Sequence, residues 1–85
     1  MTGEELFRAL DGRIIVVPAG AYRIEVFSVR DESGQRWVQL ALKDDGSQRQ
    51  LTLRLKPGDT AQHAIFTLSA WLTDPAGTPE VFNVA

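Results

Sequence analysis

The sequence predicts a small α+β fold with a short N-terminal helix, a four-stranded antiparallel β-meander, a C-terminal helix packed on one sheet face, and a possible short last edge strand. Three observations predict this class. A helix-capping pattern opens the chain, apolar and polar residues alternate through its middle, and a later segment has apolar residues at helical spacing. With 85 residues and 44% hydrophobic residues, the chain is expected to form a single domain over residues 1–85.

The first predicted element is a short helix that begins after Thr2. The stretch TGEE has capping-box spacing, in which the threonine hydroxyl accepts from an early helical N–H and Glu5 reaches back to the cap. Leu6, Phe7 and Leu10 follow as a short apolar stripe. Because two turns of helix are marginally stable alone, this stripe must dock on another element. Gly12 is predicted to end the helix in the left-handed conformation.

Two strands are predicted before the centre of the chain. The β-branched run RIIVV, residues 13–17, is bounded by glycine and proline, and residues 21–30 alternate between apolar and polar side chains. Turn-forming residues separate these strands at 18–20 and end the second strand at 31–34.

The clearest strand signal is a β-hairpin between Arg36 and Lys56. Leucine and valine alternate with more polar residues on both of its arms, which is typical of strands with one buried face. Gly46 and Ser47 are predicted to form a two-residue type II′ turn, because glycine stands at the first central position. The cross-strand pairs that this turn predicts are Leu42–Leu51, Leu40–Leu53 and Val38–Leu55.

The segment from Asp59 to Leu72 is predicted to be a helix, with Asp59 as its N-cap and Gln62 three residues later. A strand is the alternative, since alternate residues there are also apolar. A Pro- and Gly-containing stretch at 74–79 ends the segment, and the tail from Glu80 to Ala85 is predicted as either a short edge strand or a frayed end. The predicted apolar helix face comprises Ala61, Ala64, Ile65, Leu68, Trp71 and Leu72.

The candidate functional feature is the second face of the predicted sheet. Alternation places Trp37 there, across from Lys56 and near Phe27 or Val29, so that aromatic rings lie among basic and amide side chains. The candidate interaction residues are Arg23, Phe27, Trp37, Gln39, Lys43, Arg54 and Lys56.

Three interpretations of this face remain open. The N-terminal helix covers it within the same chain; it is a protein-binding or homodimer surface, for which Trp, Phe and Arg are enriched; or it stacks the bases of single-stranded nucleic acid. The net charge of −2 and the position of Glu25 within the face disfavour nucleic acid. We therefore expect a non-enzymatic interaction or regulatory domain that forms a homodimer, with a single-stranded nucleic-acid-binding module as the alternative.

Phe66 is a second candidate contact. On the predicted helix it points away from the apolar face, so the tail at 81–84 or a second subunit would have to cover it.

No residue pattern indicates catalysis, a metal site or a cofactor. The chain has no cysteine, its single histidine, His63, has no predicted partner, and Asp44, Asp45 and Asp59 are explained as turn and cap residues. No apolar run approaches the roughly 18 residues that cross a bilayer, and the N-terminus lacks a signal-peptide pattern. We therefore expect no membrane partner and a cytoplasmic location.

Overall fold

The structure, a computed structural model, describes residues 1–84 and confirms the predicted α+β class. Within these residues, five strands form one antiparallel sheet in sequential order, and the last connection passes through the second helix. The tail contains a short edge strand, while Ala85 lies outside the described residues. The elements are α1 (Gly3–Leu10), β1 (Ile14–Val17), β2 (Gly20–Glu32), β3 (Gln35–Lys43), β4 (Gln48–Leu55), α2 (Ala61–Thr73), a 3₁₀ turn (Pro75–Gly77) and β5 (Val81–Asn83).

The predicted capping box at the start of α1 is confirmed. The Glu5 N–H donates to the Thr2 hydroxyl at 3.1 Å, and the Thr2 N–H donates to the Glu5 carboxylate at 2.8 Å. That second hydrogen bond is the main reason why the pKa of Glu5 is lowered. Gly12 has a φ of 82°, so it supplies the left-handed residue after the helix as predicted.

The β3–β4 hairpin has the predicted faces but not the predicted register. Leu40 pairs with Leu51 and Val38 with Leu53, a shift of two residues from the predicted pairs. The predicted type II′ turn is wrong, because the connection is a four-residue loop, residues 44–47, that Asp44 stabilises. One Asp44 carboxylate oxygen accepts from the Gly46 N–H, the Ser47 N–H and the Ser47 hydroxyl. These hydrogen bonds lower the pKa of Asp44.

The segment predicted as a helix forms α2, but its cap differs from the prediction. Thr60 is the N-cap and accepts from the His63 N–H at 3.1 Å. Asp59 instead closes the preceding turn, where its carboxylate accepts from the Lys56 N–H at 2.8 Å. Of the predicted face, Ile65 and Leu72 are only partly buried, and Thr67 is buried in addition.

The core lies on one side of the sheet, where both α1 and α2 pack. Leu6 and Leu10 of α1 belong to the same buried cluster as Leu68 of α2, and the two helices contact each other. The sheet residues of this cluster are Ile15, Ile24, Val26, Val38, Leu40, Leu42, Leu51, Leu53, Leu55 and Val81.

Arg36 is a buried cation that the sequence pattern did not predict. It lies on the core face of β3, opposite Leu55, and is only 5% exposed. Its guanidinium donates to both carboxylate oxygens of Asp31, at 2.7 and 3.1 Å, which lowers the pKa of Asp31. It also donates to the carbonyl oxygens of Met1 at 2.9 Å and Pro57 at 3.3 Å. Arg36 therefore joins the N-terminus, the β2–β3 hairpin and the β4–α2 loop.

Candidate interaction surface

The second face of the sheet is open in this structure, because α1 lies on the core side beside α2. The interpretation in which α1 covers Trp37 and Phe27 is therefore wrong. Within the described residues, no helix packs on this face, and several large apolar side chains remain exposed there. They are Ile14 (54%), Val16 (76%), Phe27 (46%), Phe82 (42%) and Val84 (47%). Trp37 is partly buried among them.

A β-bulge in β2 determines which residues reach this face. Val26 pairs with Leu40 and Ser28 with Gln39, so Phe27 is the extra residue in β2. Beyond the bulge the alternation is reversed, and Val29 turns to the core side. A Cβ added at Gly3 of α1 would lie 3.3 Å from a Val29 methyl carbon, which shows that Val29 faces this helix. Val29, predicted as a possible neighbour of Trp37, is therefore not on the open face.

The bulge also places Arg30 on the open face, directly opposite Trp37. On the other side of Trp37, the β4 residue that pairs with it is Arg54 and not the predicted Lys56. A row of Arg30, Trp37 and Arg54 therefore crosses three neighbouring strands. Lys56 follows the end of β4 and belongs to the turn before α2.

The aromatic partner of Trp37 is Phe82 of β5. The two ring centroids are 6.0 Å apart with the planes tilted by 42°, and the Arg54 guanidinium lies 5.6 Å from the Phe82 centroid. Such tilted aromatic pairs and cation–π contacts are favourable, and they hold the three side chains in one cluster. Phe82 was missed in the sequence, although alternation about the buried Val81 would have placed it on the face opposite the core.

A shallow cleft of about 490 Å³ opens beside this pair of rings. Its size falls within the range of small-ligand sites, but it lies on the surface of an open sheet. Apolar rings form one part of its wall, and charged or hydroxyl side chains form the rest. The lining residues are Arg30, Glu32, Ser33, Trp37, Thr52 and Phe82.

The remaining predicted residues occupy the other part of the same face. Arg23 of β2 pairs with Lys43 of β3, and Lys43 forms an ion pair with Glu25. Gln39 accepts a hydrogen bond from the Ser28 hydroxyl at 2.9 Å. The structure therefore brings Arg23, Phe27, Trp37, Gln39, Lys43 and Arg54 onto one surface.

Two ion pairs neutralise part of the charge on the open face. Glu25 pairs with Lys43, and Arg30 pairs with Glu32 at 3.1 Å. Among the described residues, no acidic side chain lies within ion-pairing distance of Arg23 or Arg54. Two unpaired cations therefore remain on a surface that is otherwise apolar or locally neutral.

Phe66 lies outside this surface, since it belongs to α2 on the other side of the sheet. It is 69% exposed. The tail does not cover it as the sequence suggested, because residues 81–83 pair with β4 as strand β5.

The only histidine of the chain lies beside a single carboxylate. His63 Nε2 is 3.8 Å from Asp59 Oδ2, and the histidine side chain is 53% exposed. Across residues 1–84, no three side chains of the His, Cys, Asp and Glu types converge as a metal site would require. None of the described helices has the length and apolar character needed to span a membrane.

Comparison of the chain with protein-family models, with curated proteins and with solved structures found no match. The geometry of the open face, with its row of Arg30, Trp37 and Arg54 and the adjacent Phe82, is therefore the basis for the functional argument.

Proposed function

We propose that this chain is a non-enzymatic interaction domain that binds a protein surface through its open sheet face, and that the partner is a second copy of the chain. The observation that carries this proposal is the placement of both helices on one side of the sheet, which leaves the other side exposed with its aromatic and aliphatic side chains. Exposed apolar side chains that gather on one face of a protein commonly mark an interaction surface, and here they lie among polar residues of β3 and β4.

The residue types of the face support protein binding. Trp, Phe and Arg are enriched at the centres of protein interfaces, and here Trp37, Phe82 and Arg54 form one cluster. The ion pairs Glu25–Lys43 and Arg30–Glu32 neutralise much of the charge within the face. Of the described residues on this face, only Arg23 and Arg54 keep an unpaired charge, so few like charges oppose each other when the face meets an identical surface about a two-fold axis, as an isologous homodimer requires.

The proposal assigns no catalytic role to His63. A general base must lie within hydrogen-bond reach of its partner and close to a substrate site. The 3.8 Å separation between His63 and Asp59 is longer than a hydrogen bond, and the two residues belong to the turn and the first helical turn that follow β4.

Sedimentation equilibrium at about 10 μM tests the homodimer, since a standard-size interface is expected to persist at this concentration. We expect a wild-type dimer and a monomeric, folded Trp37→Ala variant, because the Trp37 side chain points away from the core. Phe66→Ala is the matched control, as it removes an exposed aromatic ring from the opposite side of the molecule.

The expected result for Phe66→Ala is an unchanged dimer. A wild-type monomer, or a Trp37→Ala dimer, would overturn the proposal. Loss of the circular-dichroism signal in Trp37→Ala would also overturn it, because Trp37 would then act in the stability of the fold.

A second candidate function is the binding of single-stranded nucleic acid by the same face. The observation that favours it is the row of Arg30, Trp37 and Arg54, in which an aromatic ring that can stack on a base lies between two arginines, one of which, Arg54, has no acidic partner among the described residues. Fluorescence anisotropy with a labelled oligothymidylate tests it, and Arg54→Ala should weaken binding and reduce its salt dependence. Absence of binding at low salt would exclude this function.

A further inference from the structure

The outer edge of β1 carries unpaired backbone groups. The Ile24 N–H donates to the Arg13 carbonyl oxygen at 2.8 Å, and Ile15 and Val17 pair with Tyr22 and Gly20. Because antiparallel hydrogen bonding alternates along a strand, residues 15 and 17 direct their backbone groups to β2, as the Arg13 carbonyl does, while the Arg13 N–H donates to the Leu10 carbonyl oxygen at 3.0 Å. Ile14 and Val16 therefore direct theirs outward. Among residues 1–84, no hydrogen bond to these outward groups is present.

This edge has only part of the protection that edge strands usually carry. Natural proteins protect such strands by keeping them very short, by charged side chains, proline or bulges, or by a covering element. The four residues of β1 are all β-branched and apolar, and Val16 is 76% exposed. A charge and a proline occur only at its two ends, as Arg13 and Pro18. Pro18 has no N–H, so strand addition can extend only over the short stretch before it.

We propose that β1 pairs in antiparallel fashion with β1 of a second copy of this chain. With the two-fold axis between the two Ile15 residues, Ile14 of each copy lies opposite Val16 of the other. In each such pair, the outward N–H of each residue can donate to the outward C=O of the other. The outward groups of one β1 strand therefore match those of an identical strand. The facing β-branched side chains also pack together across the strands.

The charge pattern favours a second copy over a charged peptide. In the two-fold arrangement Arg13 of one copy lies opposite Val17 of the other, so no like charges meet. The result is a continuous sheet across both copies, with the helices on one side. The Trp37–Phe82 pair takes no part in this edge pairing, because Trp37 is on the central strand β3 and Phe82 is on β5 at the other edge of the sheet. The edge pairing uses outward backbone groups of β1, whereas the sheet-face dimer proposed above uses side chains of the open face.

The pairing involves few residues, so it must be weaker than a standard interface, which buries about 1,600 Å² in total. Sedimentation equilibrium should therefore extend to about 1 mM. All proteins in this experiment carry Trp37→Ala, which removes the proposed sheet-face association. The failure of one proposal is then distinguishable from the failure of the other.

The test variant is Val16→Pro, which deletes an outward N–H that the monomer does not use. We expect the Trp37→Ala protein to form dimers as its concentration rises, and the Trp37→Ala, Val16→Pro double variant to remain monomeric. Val16→Lys should also remain monomeric. Val84→Lys is the matched control, because it introduces the same charge beside the opposite edge of the sheet, and it should leave the association unchanged.

Amide hydrogen exchange followed by NMR gives a second measurement that needs no substitution in β1. Exchange at the Ile14 and Val16 amides should slow as the concentration of the Trp37→Ala protein rises, while exchange at the exposed Gly46 amide should not. Exchange at Ile14 and Val16 that is independent of concentration would overturn the proposal. A dimer that persists in a folded Val16→Pro variant, or assembly into larger species without a dimer, would also overturn it.

Discussion

Arg36→Ala is expected to lower the free energy of unfolding by about 3–4 kcal/mol. The truncation removes the hydrogen bonds to Met1 O and Pro57 O, which contribute about 1 kcal/mol each. It also removes two buried methylene groups, at about 0.8 kcal/mol each. The ion pair with Asp31 adds little to this figure, because that carboxylate is 56% exposed and can be rehydrated. For a domain of this size the melting temperature should fall by roughly 12–32 °C.

Two further variants separate the hydrogen-bond contribution of Arg36 from the contribution of its buried methylene groups and from the general effect of removing an arginine. Arg36→Met keeps a chain of similar length but removes the donors, so the free energy of unfolding should fall by about 2 kcal/mol. Arg8→Ala removes an arginine that is 78% exposed and pairs only with Glu4, so its effect should stay within about 0.5 kcal/mol.

Urea unfolding, followed by tryptophan fluorescence and by circular dichroism, measures all three variants. An Arg36→Ala variant that loses less than about 1 kcal/mol, or an Arg8→Ala variant that loses as much stability as Arg36→Ala, would contradict this expectation. Either result would mean that Arg36 does not hold the three segments together.

The remaining predictions concern acid stability and the β3–β4 loop. The pKa of Asp31 is lowered in the folded state, so the unfolded chain binds more protons and the free energy of unfolding should fall as pH drops below the unfolded pKa of about 3.9 towards the folded pKa. Without the guanidinium the decline should be shallower in Arg36→Met, and urea midpoints between pH 2 and 6 check this; parallel declines in both proteins would contradict it. Asp44→Ala should lower the urea midpoint at pH 7 more than Asp45→Ala, because Asp44 accepts three hydrogen bonds within its loop. Equal midpoints for these two variants would show that the Asp44 hydrogen bonds do not determine the loop.

Much of the local structure could be predicted from the sequence because it depends on neighbours in the chain. The capping box at Thr2 needs only a residue three positions away, and the left-handed Gly12 follows directly from the end of α1. The same holds for the placement of Arg54 and Gln39 on the face opposite the leucines, since alternation has a period of two residues.

The register of β3 and β4 could not be predicted in this way. A shift of two residues leaves the same leucines buried, so the hydrophobic pattern does not distinguish the two registers. The choice depends on the loop, where the Asp44 carboxylate stabilises four residues and not the two-residue turn that Gly46 suggested. This shift makes Arg54, and not Lys56, the neighbour of Trp37.

By itself, the sequence predicted the fold class, α1, the first four strands and the two faces of the central hairpin, because these depend on local pattern and periodicity; it favoured a helix for α2 and left β5 open. The tertiary structure decided which side α1 occupies, where the bulge at Phe27 reverses the alternation, and that Phe82 meets Trp37. It also decided the burial of Arg36, whose partners Met1, Asp31 and Pro57 come from separate parts of the chain. These features depend on contacts between residues that are distant in sequence, and no local pattern encodes such contacts.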